Sequence, residues 1–414
     1  MFQRAVDLSQ RAPRWGWLLA RLGYETALRS GSPTLLAEAT LTLGITLNLR
    51  EHFDPAIRLL DRAEKLFASQ GDRSGVARCH WQRGVALRFQ THFRSAVEHL
   101  ESAYSEFKTL GLRSEVARVQ RDLAIAYNLL EQFDQVSILV AQPRAFFEKA
   151  SQMVEVGRCD LVTGSQLRQR TQYQQSLEVL RRAYRIFDAE GQIIDGAKAR
   201  YLIALVQIQL QSYRTAQSNL ETVQGIFRSA GLPMRVAYAN KDLGRVLWHQ
   251  GDLDNAHLYP KRALDWFQTH SIPRHIADCS LNFGNFLYVT GDYVTAEVHY
   301  EKALSIYDQL GVKSFAARCE QNLALIHRWQ GDLNHTLDRL HRAAQALESD
   351  KITVWAADCH FKMAEIYLAL GQTGTAAMHT QHARTCYEQE QVSLSQAWCN
   401  ILDAQIATLV GDSR

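Results

Sequence analysis

The sequence predicts an all-α solenoid in which antiparallel helix pairs repeat every 40 residues and stack side by side. Residue types recur in fixed rows at this period, and the register has no insertion or deletion from about residue 37 to residue 411. Apolar residues within each repeat follow a helical period, and turn residues separate its two halves. Because these features agree over nearly the whole chain, chance does not explain them.

Small and aromatic rows define the register. One row consists of glycine and alanine: Gly44, Gly84, Ala124, Gly164, Ala204, Gly244, Gly284, Ala324, Ala364 and Ala404. Another is large and mostly aromatic: Phe67, Phe107, Phe147, Phe187, Phe227, Phe267, Tyr307, Leu347 and Tyr387. Small residues let paired helices approach closely and the aromatic rings fill the wider gap, so we expect both rows in a continuous core.

Each repeat predicts a first helix, a short turn and a second helix. In residues 277–290 apolar and small residues recur at i, i+4 and i+7, a Gly-Asp-Tyr turn follows at 291–293, and a second helix spans about 294–308. Gly311 then suits a left-handed C-cap. The same cap glycine stands in four other repeats: Gly71, Gly111, Gly191 and Gly231.

Polar residues and prolines predict local details of the second helices. Four residues stand where they are expected to cap the helix N-termini: Asp54, Asp134, Asp254 and Asn334. Pro143 and Pro260 fall inside predicted second helices, where each is expected to kink or shift the helix.

The register divides the chain into three segments. Residues 1–36 are expected to form an irregular N-terminal cap and the first helices, residues 37–396 nine helical hairpins, and residues 397–414 an unpaired C-terminal helix. Three apolar residues are expected to leave the last face partly apolar: Ile401, Leu402 and Leu409. We interpret this end as a truncation, or as a surface for self-association or for docking on another chain.

Composition excludes several classes of protein. The chain is 46% hydrophobic and 21% charged, as in a globular protein with a large core, and its net charge of +3 is small for a nucleic-acid binder. No apolar run reaches the length of a membrane span, and the N-terminus lacks the apolar stretch of a secretory signal. The seven cysteines, predicted to be unpaired, favour a reducing compartment, so we expect a cytoplasmic protein.

The small residues of the register resemble the tetratricopeptide repeat (TPR). Leu243-Gly244, Ala256 and Ala263 match its signature, and Leu281-Asn282-Phe283-Gly284-Asn285 resembles its asparagine-bearing first helix. The 40-residue form resembles the arrays of kinesin light chains and of bacterial sensor and CHAT-protease proteins, whereas HEAT repeats share the length but lack the spacing. The resemblance implies a right-handed superhelical solenoid, with the first helix of each pair lining a concave groove.

Candidate chemical sites are few. Six cysteines share one row and are expected to be small core residues: Cys79, Cys159, Cys279, Cys319, Cys359 and Cys399. His379, His382 and Cys386 share a helical face, which we interpret as a solvated histidine pair beside a core cysteine rather than a metal site. Without a catalytic signature, the chain is predicted to be neither an enzyme nor a cofactor protein.

The groove positions that the resemblance implies carry a ladder of cations in the N-terminal half. Its rungs are Arg78, Arg118, Arg158 and Lys198, with Arg88, Arg121 and Arg168 on neighbouring inward rows. Arginine at this density suits carboxylates or phosphates. The alternative is a solvated helix face, partly neutralised by Asp122 and by acids of the outer helices.

The groove positions of the C-terminal half are amide-bearing, aromatic and cationic: Lys241, Arg245, Trp248, Asn282, Asn285, Tyr288, Asn322 and Arg328. In the adaptors that the chain resembles, such asparagines hold the main chain of a bound peptide, a role the resemblance implies for Asn282, Asn285 and Asn322. Trp248 and Tyr288 offer rigid surfaces for a ligand side chain.

The sequence therefore predicts a scaffold or adaptor that binds a protein or peptide, with an extended acidic segment as the expected ligand. An alternative is a regulatory or sensor module of a larger effector, such as a protease or a signalling switch. Nucleic-acid binding through the arginine ladder is a third reading, which the small net charge disfavours.

Overall fold

A computed structural model describes residues 1–349, 352–390 and 392–411, without the side chains at positions 253, 254, 393, 394, 410 and 411. Contacts divide the chain into two compact units, unit 1 (Met1–Pro273) and unit 2 (Arg274–Arg414). Every described element in both units is a helix, and the 40-residue register runs through them. No helix among the described residues is long and apolar enough to cross a membrane.

Unit 1 contains fifteen helices: α1 (Phe2–Arg11), α2 (Pro13–Ser30), α3 (Pro33–Leu49), α4 (Phe53–Ser69), α5 (Arg73–Phe89), α6 (Phe93–Thr109), α7 (Arg113–Leu129), α8 (Phe133–Lys149), α9 (Met153–Gln169), α10 (Tyr173–Ala189), α11 (Ile193–Gln209), α12 (Tyr213–Ser229), α13 (Pro233–His249), α14 (Leu253–Ala256) and α15 (Leu258–Thr269). The described residues of unit 2 form seven: α16 (Pro273–Thr290), α17 (Tyr293–Leu310), α18 (Lys313–Trp329), α19 (Leu333–Ser349), α20 (Thr353–Ala369), α21 (Thr373–Gln389) and α22 (Ser393–Gly411).

The rows of the register form the core of each unit, as predicted. Every member of the aromatic row is buried, and the ring of Phe107 is fully enclosed. The glycine row lies where paired helices approach most closely. A Cβ atom added to Gly84 would lie 2.7 Å from Cγ of Leu100, so only glycine fits this contact without a shift.

The second helices begin before the residues that were predicted to cap them. Asp54 and Asp134 lie inside the first turns of α4 and α8, so the prediction that they cap these helices is wrong. Asn334 likewise follows the first residue of α19, and the side chain of Asp254 lies outside the described residues. The capping carboxylates belong to the Gly-Asp turns instead. A capping residue precedes the first helical residue. Asp292 does so for α17, and its side chain accepts a hydrogen bond of 3.2 Å from the backbone amide of Thr295.

The two internal prolines have different effects. Helix α8 continues through Pro143 without interruption. Pro260, in contrast, follows a break at His257 that separates α14 from α15. In an unbroken helix the ring of Pro260 would clash with the backbone of the preceding turn, and the break falls within that turn. The helix is therefore shifted at this position, as predicted.

The two ends of the chain are helical. Residues 1–36 contain α1, α2 and the start of α3, and α1 packs on both of the others. Helix α22 begins at Ser393, four positions before the predicted boundary at 397, while residues 412–414 lie outside the described residues. Leu402 is buried on α22, which corrects the prediction that it is exposed, whereas Ile401 and Leu409 are exposed. Docking through this face stays a prediction.

Candidate functional site

The first helices of unit 1 form a layer that curves back on itself. From α3 to α13, each of them contacts the next first helix as well as its own partner. Glu51, after α3, accepts a hydrogen bond of 2.7 Å from the backbone amide of Met234 in α13, 183 residues further along the chain. Gln10 of α1 accepts one of 2.9 Å from Arg158 across 148 residues. Contacts over such separations require a concave layer, which we call the inner surface of unit 1.

The predicted ladder of Arg78, Arg118, Arg158 and Lys198 lies on the first helices, and each of its cations faces an acid. Arg78 forms a two-pronged pair with Glu38, with Nη2 2.5 Å from Oε1 and Nη1 3.1 Å from Oε2. Such a fork uses the guanidinium face that a ligand carboxylate would need. The guanidinium of Arg78 is therefore already paired with an acid of the protein itself.

Glu155 contacts three of the predicted cations. Its carboxylate accepts a hydrogen bond of 3.0 Å from Arg158, lies 3.5 Å from Nε of Arg118, and forms a short bond with Arg121. Burial alone would raise the pKa of Glu155, but Arg121 and the other two guanidinium groups lower it below its ordinary value of 4.5. Glu155 thus remains ionised and neutralises part of the ladder.

Asp195 pairs with Lys198, the remaining cation of the ladder. It lies 2.8 Å from Nη2 of Arg158 and 2.6 Å from Nζ of Lys198. Although burial opposes it, Lys198 and Arg158 hold the pKa of Asp195 well below its usual range. Burial lowers the pKa of Lys198 to about 8, against the opposing effect of Asp195. This pair is therefore a buried, charged contact rather than a free ligand site.

The acids that neutralise the ladder are mostly on the first helices, not on the outer ones as predicted. Asp122 does take part, since it lies 3.2 Å from Arg121. Glu155 and Asp195 were missed. The signal that identifies them is local, because each stands three residues before a rung on the same helix, where side chains meet.

Arg88 and Arg168 stand apart from this network. They occupy the same position of repeats two periods apart, at the ends of α5 and α9. Among the described residues no carboxylate lies within ion-pair distance of either, and the Nε atom of each is buried without an acceptor. Burial lowers the pKa of both guanidinium groups; Asp122 partly offsets this at Arg88, whereas Arg245 adds to it at Arg168.

Three further predicted residues lie together on α13. Arg245 contacts Asp242 at 3.2 Å, and Nζ of Lys241 lies 4.0 Å from the same carboxylate. The indole of Trp248 packs against the imidazole of His249, with ring centroids 4.4 Å apart. Asp242 thus compensates the cations of this segment as Glu155 does on α9.

Two of the three predicted asparagines of unit 2, Asn285 and Asn322, bind each other. Oδ1 of Asn285 accepts hydrogen bonds of 2.9 Å from the hydroxyl of Tyr300 and 2.8 Å from the amide of Asn322. No described residue forms a hydrogen bond with the side chain of Asn282. Of the three amides, that of Asn282 is therefore the most available to a ligand.

The other two predicted residues of unit 2 also have partners. Tyr288 packs edge-on against Tyr293 with ring centroids 5.3 Å apart, and burial raises the pKa of its hydroxyl. Arg328 forms an exposed ion pair of 3.0 Å with Glu365. Exposed pairs of this kind contribute little to stability, so Arg328 remains accessible to a ligand.

The cysteine and histidine predictions have mixed outcomes. The six cysteines of the repeat row are buried core residues, as predicted, and Cys386 packs beside the core. His379, however, is buried rather than solvated. His382 instead approaches Glu348 and His360, which come from the two preceding helices. The helical face predicted from the sequence, which groups His379 with Cys386, does not reveal the contacts of His382 with Glu348 and His360.

Comparisons with known proteins place the fold. The profile of the SNAP (soluble NSF attachment protein) family matches residues 286–395, which is less than half of the chain. No curated protein sequence matches the chain. The structure is similar to that of the Rap conjugation gene regulator of the plasmid pLS20 in complex with the Phr* peptide, with a TM-score of 0.58 and 15% identity over 82% of this chain and 97% of that one.

Two further solved structures are similar. NprR in complex with its cognate peptide NprX has a TM-score of 0.51 and 13% identity, over 72% of this chain and 87% of that one. Aspartyl phosphate phosphatase F from Bacillus subtilis has a TM-score of 0.52 and 13% identity, over 83% of this chain and 93% of that one. At these identities the likeness concerns the fold. Together with the register and the paired helices, it shows that the chain has a helical repeat fold of the tetratricopeptide type.

Proposed function

We propose that the inner surface of unit 1 binds an extended peptide segment with acidic side chains, and that the protein acts as a peptide-responsive regulator or adaptor. The observation that carries the proposal is the pair Arg88 and Arg168, whose buried Nε atoms have no acceptor among the described residues. A buried N–H group without an acceptor is unfavourable, and a carboxylate of a ligand would remove this cost through a charge-assisted hydrogen bond.

The surroundings of the two arginines suit a peptide. Tyr201 and Tyr238 stack on the same layer with ring centroids 6.5 Å apart, and they offer apolar faces between the ends of α5 and α9. Tyr238 lies near Arg88, and Tyr201 lies near Arg168. Two cations separated by aromatic rings favour an extended ligand with acids at both ends over a single small anion.

The similar proteins give independent support for a peptide as the class of ligand. The Rap regulator and NprR were both solved in complex with peptides. Their likeness to this chain is in fold alone, so the acidic character of the ligand rests on the arginines. The phosphatase of similar fold is named for an activity, which this proposal does not assign to the chain.

The ladder residues are poorer candidates than Arg88 and Arg168. Arg158 contacts Glu155, Asp195 and Gln10, so a ligand would have to displace three internal partners. Replacing it by an acid would place a third negative charge beside two buried ones and endanger the fold. Arg88 and Arg168 are the sharper test.

The test is a fluorescence anisotropy titration of the full chain with a labelled short poly-glutamate peptide. Glutamine in place of Arg88 or Arg168 is expected to weaken binding about tenfold or more, the value of one hydrogen bond to a charged group. Arg228→Gln, an exposed residue of α12, is the matched control and is expected to bind like the parent.

Two further probes separate the alternatives. A poly-glutamine peptide of equal length is expected to bind at least tenfold more weakly than poly-glutamate. A labelled single-stranded oligonucleotide is expected to bind more weakly than poly-glutamate at every salt concentration. Equal binding of both peptides, indifference to both substitutions, or preference for the oligonucleotide would overturn the proposal.

A further inference from the structure

Three potential metal ligands converge in unit 2 from successive helices. Oε1 of Glu348 on α19 lies 2.9 Å from Nε2 of His360 on α20 and 3.2 Å from Nε2 of His382 on α21. The two imidazole rings lie with their centroids 4.1 Å apart and their planes tilted by 34°. One ligand atom from each of the three residues lies within 4.8 Å of the others, and no other such group exists among the described residues.

The second nitrogen of His360 has a partner that orients the ring. Its Nδ1 lies 2.8 Å from Nδ1 of His379, and His379 is buried and stacked on Tyr367 with ring centroids 5.3 Å apart. A histidine that binds a metal through Nε2 commonly donates its other N–H to a fixed neighbour. His379 supplies such a neighbour, so Nε2 of His360 is held toward Glu348 and His382.

We propose that Glu348, His360 and His382 bind a divalent transition-metal ion of the zinc class. Two imidazole nitrogens and one carboxylate oxygen are ligands that zinc prefers, whereas magnesium and calcium prefer an all-oxygen set. Three protein ligands leave the fourth tetrahedral position to water or to a group from a partner. The ion would connect α19, α20 and α21, and its binding would stabilise this part of unit 2.

The chain contains a natural comparison seven repeats earlier. His80 and His99 occupy the positions of His360 and His379, and their Nδ1 atoms lie 3.0 Å apart. The positions that correspond to Glu348 and His382 are held by Ala68 and Ser102. The histidine pair is therefore a feature of repeat packing, and Glu348 with His382 is the addition that completes a ligand set in unit 2.

The rival explanation is a hydrogen-bonded cluster in which Glu348 accepts from two imidazoles without any metal. The two differ in their response to Zn²⁺ alone. The experiment is isothermal titration of the full chain with Zn²⁺, after removal of any affinity tag and treatment with a chelator, together with thermal unfolding with and without the ion.

One equivalent of Zn²⁺ is expected to bind at this site and to raise the unfolding temperature, while Mg²⁺ does neither. His382→Ser, which copies the earlier repeat, and Glu348→Gln are each expected to weaken binding at least tenfold. Both side chains are about half exposed, so these variants keep the fold, which circular dichroism checks. His379→Phe is expected to weaken binding about ten- to hundredfold through loss of the positioning contact.

His80→Ala is the matched control and is expected to leave Zn²⁺ binding unchanged. The proposal is overturned if Zn²⁺ does not bind, or if it binds equally well to His382→Ser and Glu348→Gln. It is also overturned if His80→Ala weakens binding as much as His382→Ser, because the histidine pairs of the repeats would then be the binding element.

Discussion

The carboxylate of Glu51 accepts a hydrogen bond of 2.7 Å from the backbone amide of Met234, which lies 183 residues further along the chain. The same carboxylate forms an ion pair of 3.3 Å with Arg235, and only 3% of the Glu51 side chain is exposed. Most contacts of a helical repeat array join neighbouring repeats. This contact instead joins α13 to the turn after α3 and closes the inner surface of unit 1.

Glu51→Ala is therefore expected to destabilise unit 1 by about 3 kcal/mol, because it leaves the guanidinium of Arg235 without its buried partner. Urea unfolding measures the loss. Gln211→Ala is the matched control, since Gln211 occupies the same turn position with a similar φ of 58° but is exposed. Equal effects of the two substitutions would show that the turn, and not the long-range contact, is responsible.

The stability of unit 1 is expected to fall in acid below about pH 4.5. The pKa values of Glu155 and Asp195 are lower in the folded chain than their ordinary values of 4.5 and 3.8. The unfolded chain then binds more protons, so the contribution of these groups is complete above pH 4.5 and is lost as the pH falls.

Asp195→Asn tests this dependence. It is expected to lower stability by about 3 kcal/mol at neutral pH, because Lys198 and Arg158 lose their buried partner, and to make the acid limb of the stability curve shallower. Urea unfolding across the acid range measures both. A variant with an unchanged acid limb would contradict this assignment.

Two helical glycines are expected to respond oppositely to alanine. Nothing lies within 4 Å of a Cβ added to Gly225, which is exposed on α12, so Gly225→Ala is expected to stabilise the protein by about 0.5–1 kcal/mol. At Gly84 the added Cβ would meet Leu100 and the carbonyl of Ala96, so Gly84→Ala is expected to cost about 1–3 kcal/mol. Thermal unfolding distinguishes them, and a gain at Gly84 would contradict the close packing.

The caps of the second helices give a smaller effect. Asp292→Ala is expected to destabilise the protein by about 1 kcal/mol, because the amide of Thr295 loses its acceptor. Asp134→Ala, one residue inside α8, removes only a charge near the helix N-terminus and is expected to cost a few tenths of a kcal/mol. Equal losses in urea unfolding would restore the cap that the sequence predicts at Asp134.

The fold was predictable from the sequence because its period is encoded redundantly. The glycine row and the aromatic row each place the helix pairs independently, and both are buried as expected except at Ala404 on α22, which is exposed. The predicted caps at Asp54, Asp134 and Asn334 lie inside their helices, because a register defined by core rows leaves helix ends uncertain by a residue or two. The two compact units were not predicted, since the register crosses their boundary unchanged.

The candidate sites were less predictable, because charge rows show only one side of each contact. The row that contains Arg158 suggests a free ladder, but Asp195 belongs to another row and another helix. His382 shares a helix face with Cys386, yet its contacts are with Glu348 and His360. Groups that converge from three helices are visible only when the packing of those helices is known.

The buried cysteine row also allows local opening of the repeats to be measured by thiol alkylation. Alkylating reagents attack the thiolate, and burial raises the pKa of the thiols of Cys79, Cys159 and Cys359 to about 12. Each of these thiols therefore reacts only when its hairpin separates from its neighbours. Since they stand at the same depth in different repeats, the order in which they are modified ranks the hairpins by the free energy of opening.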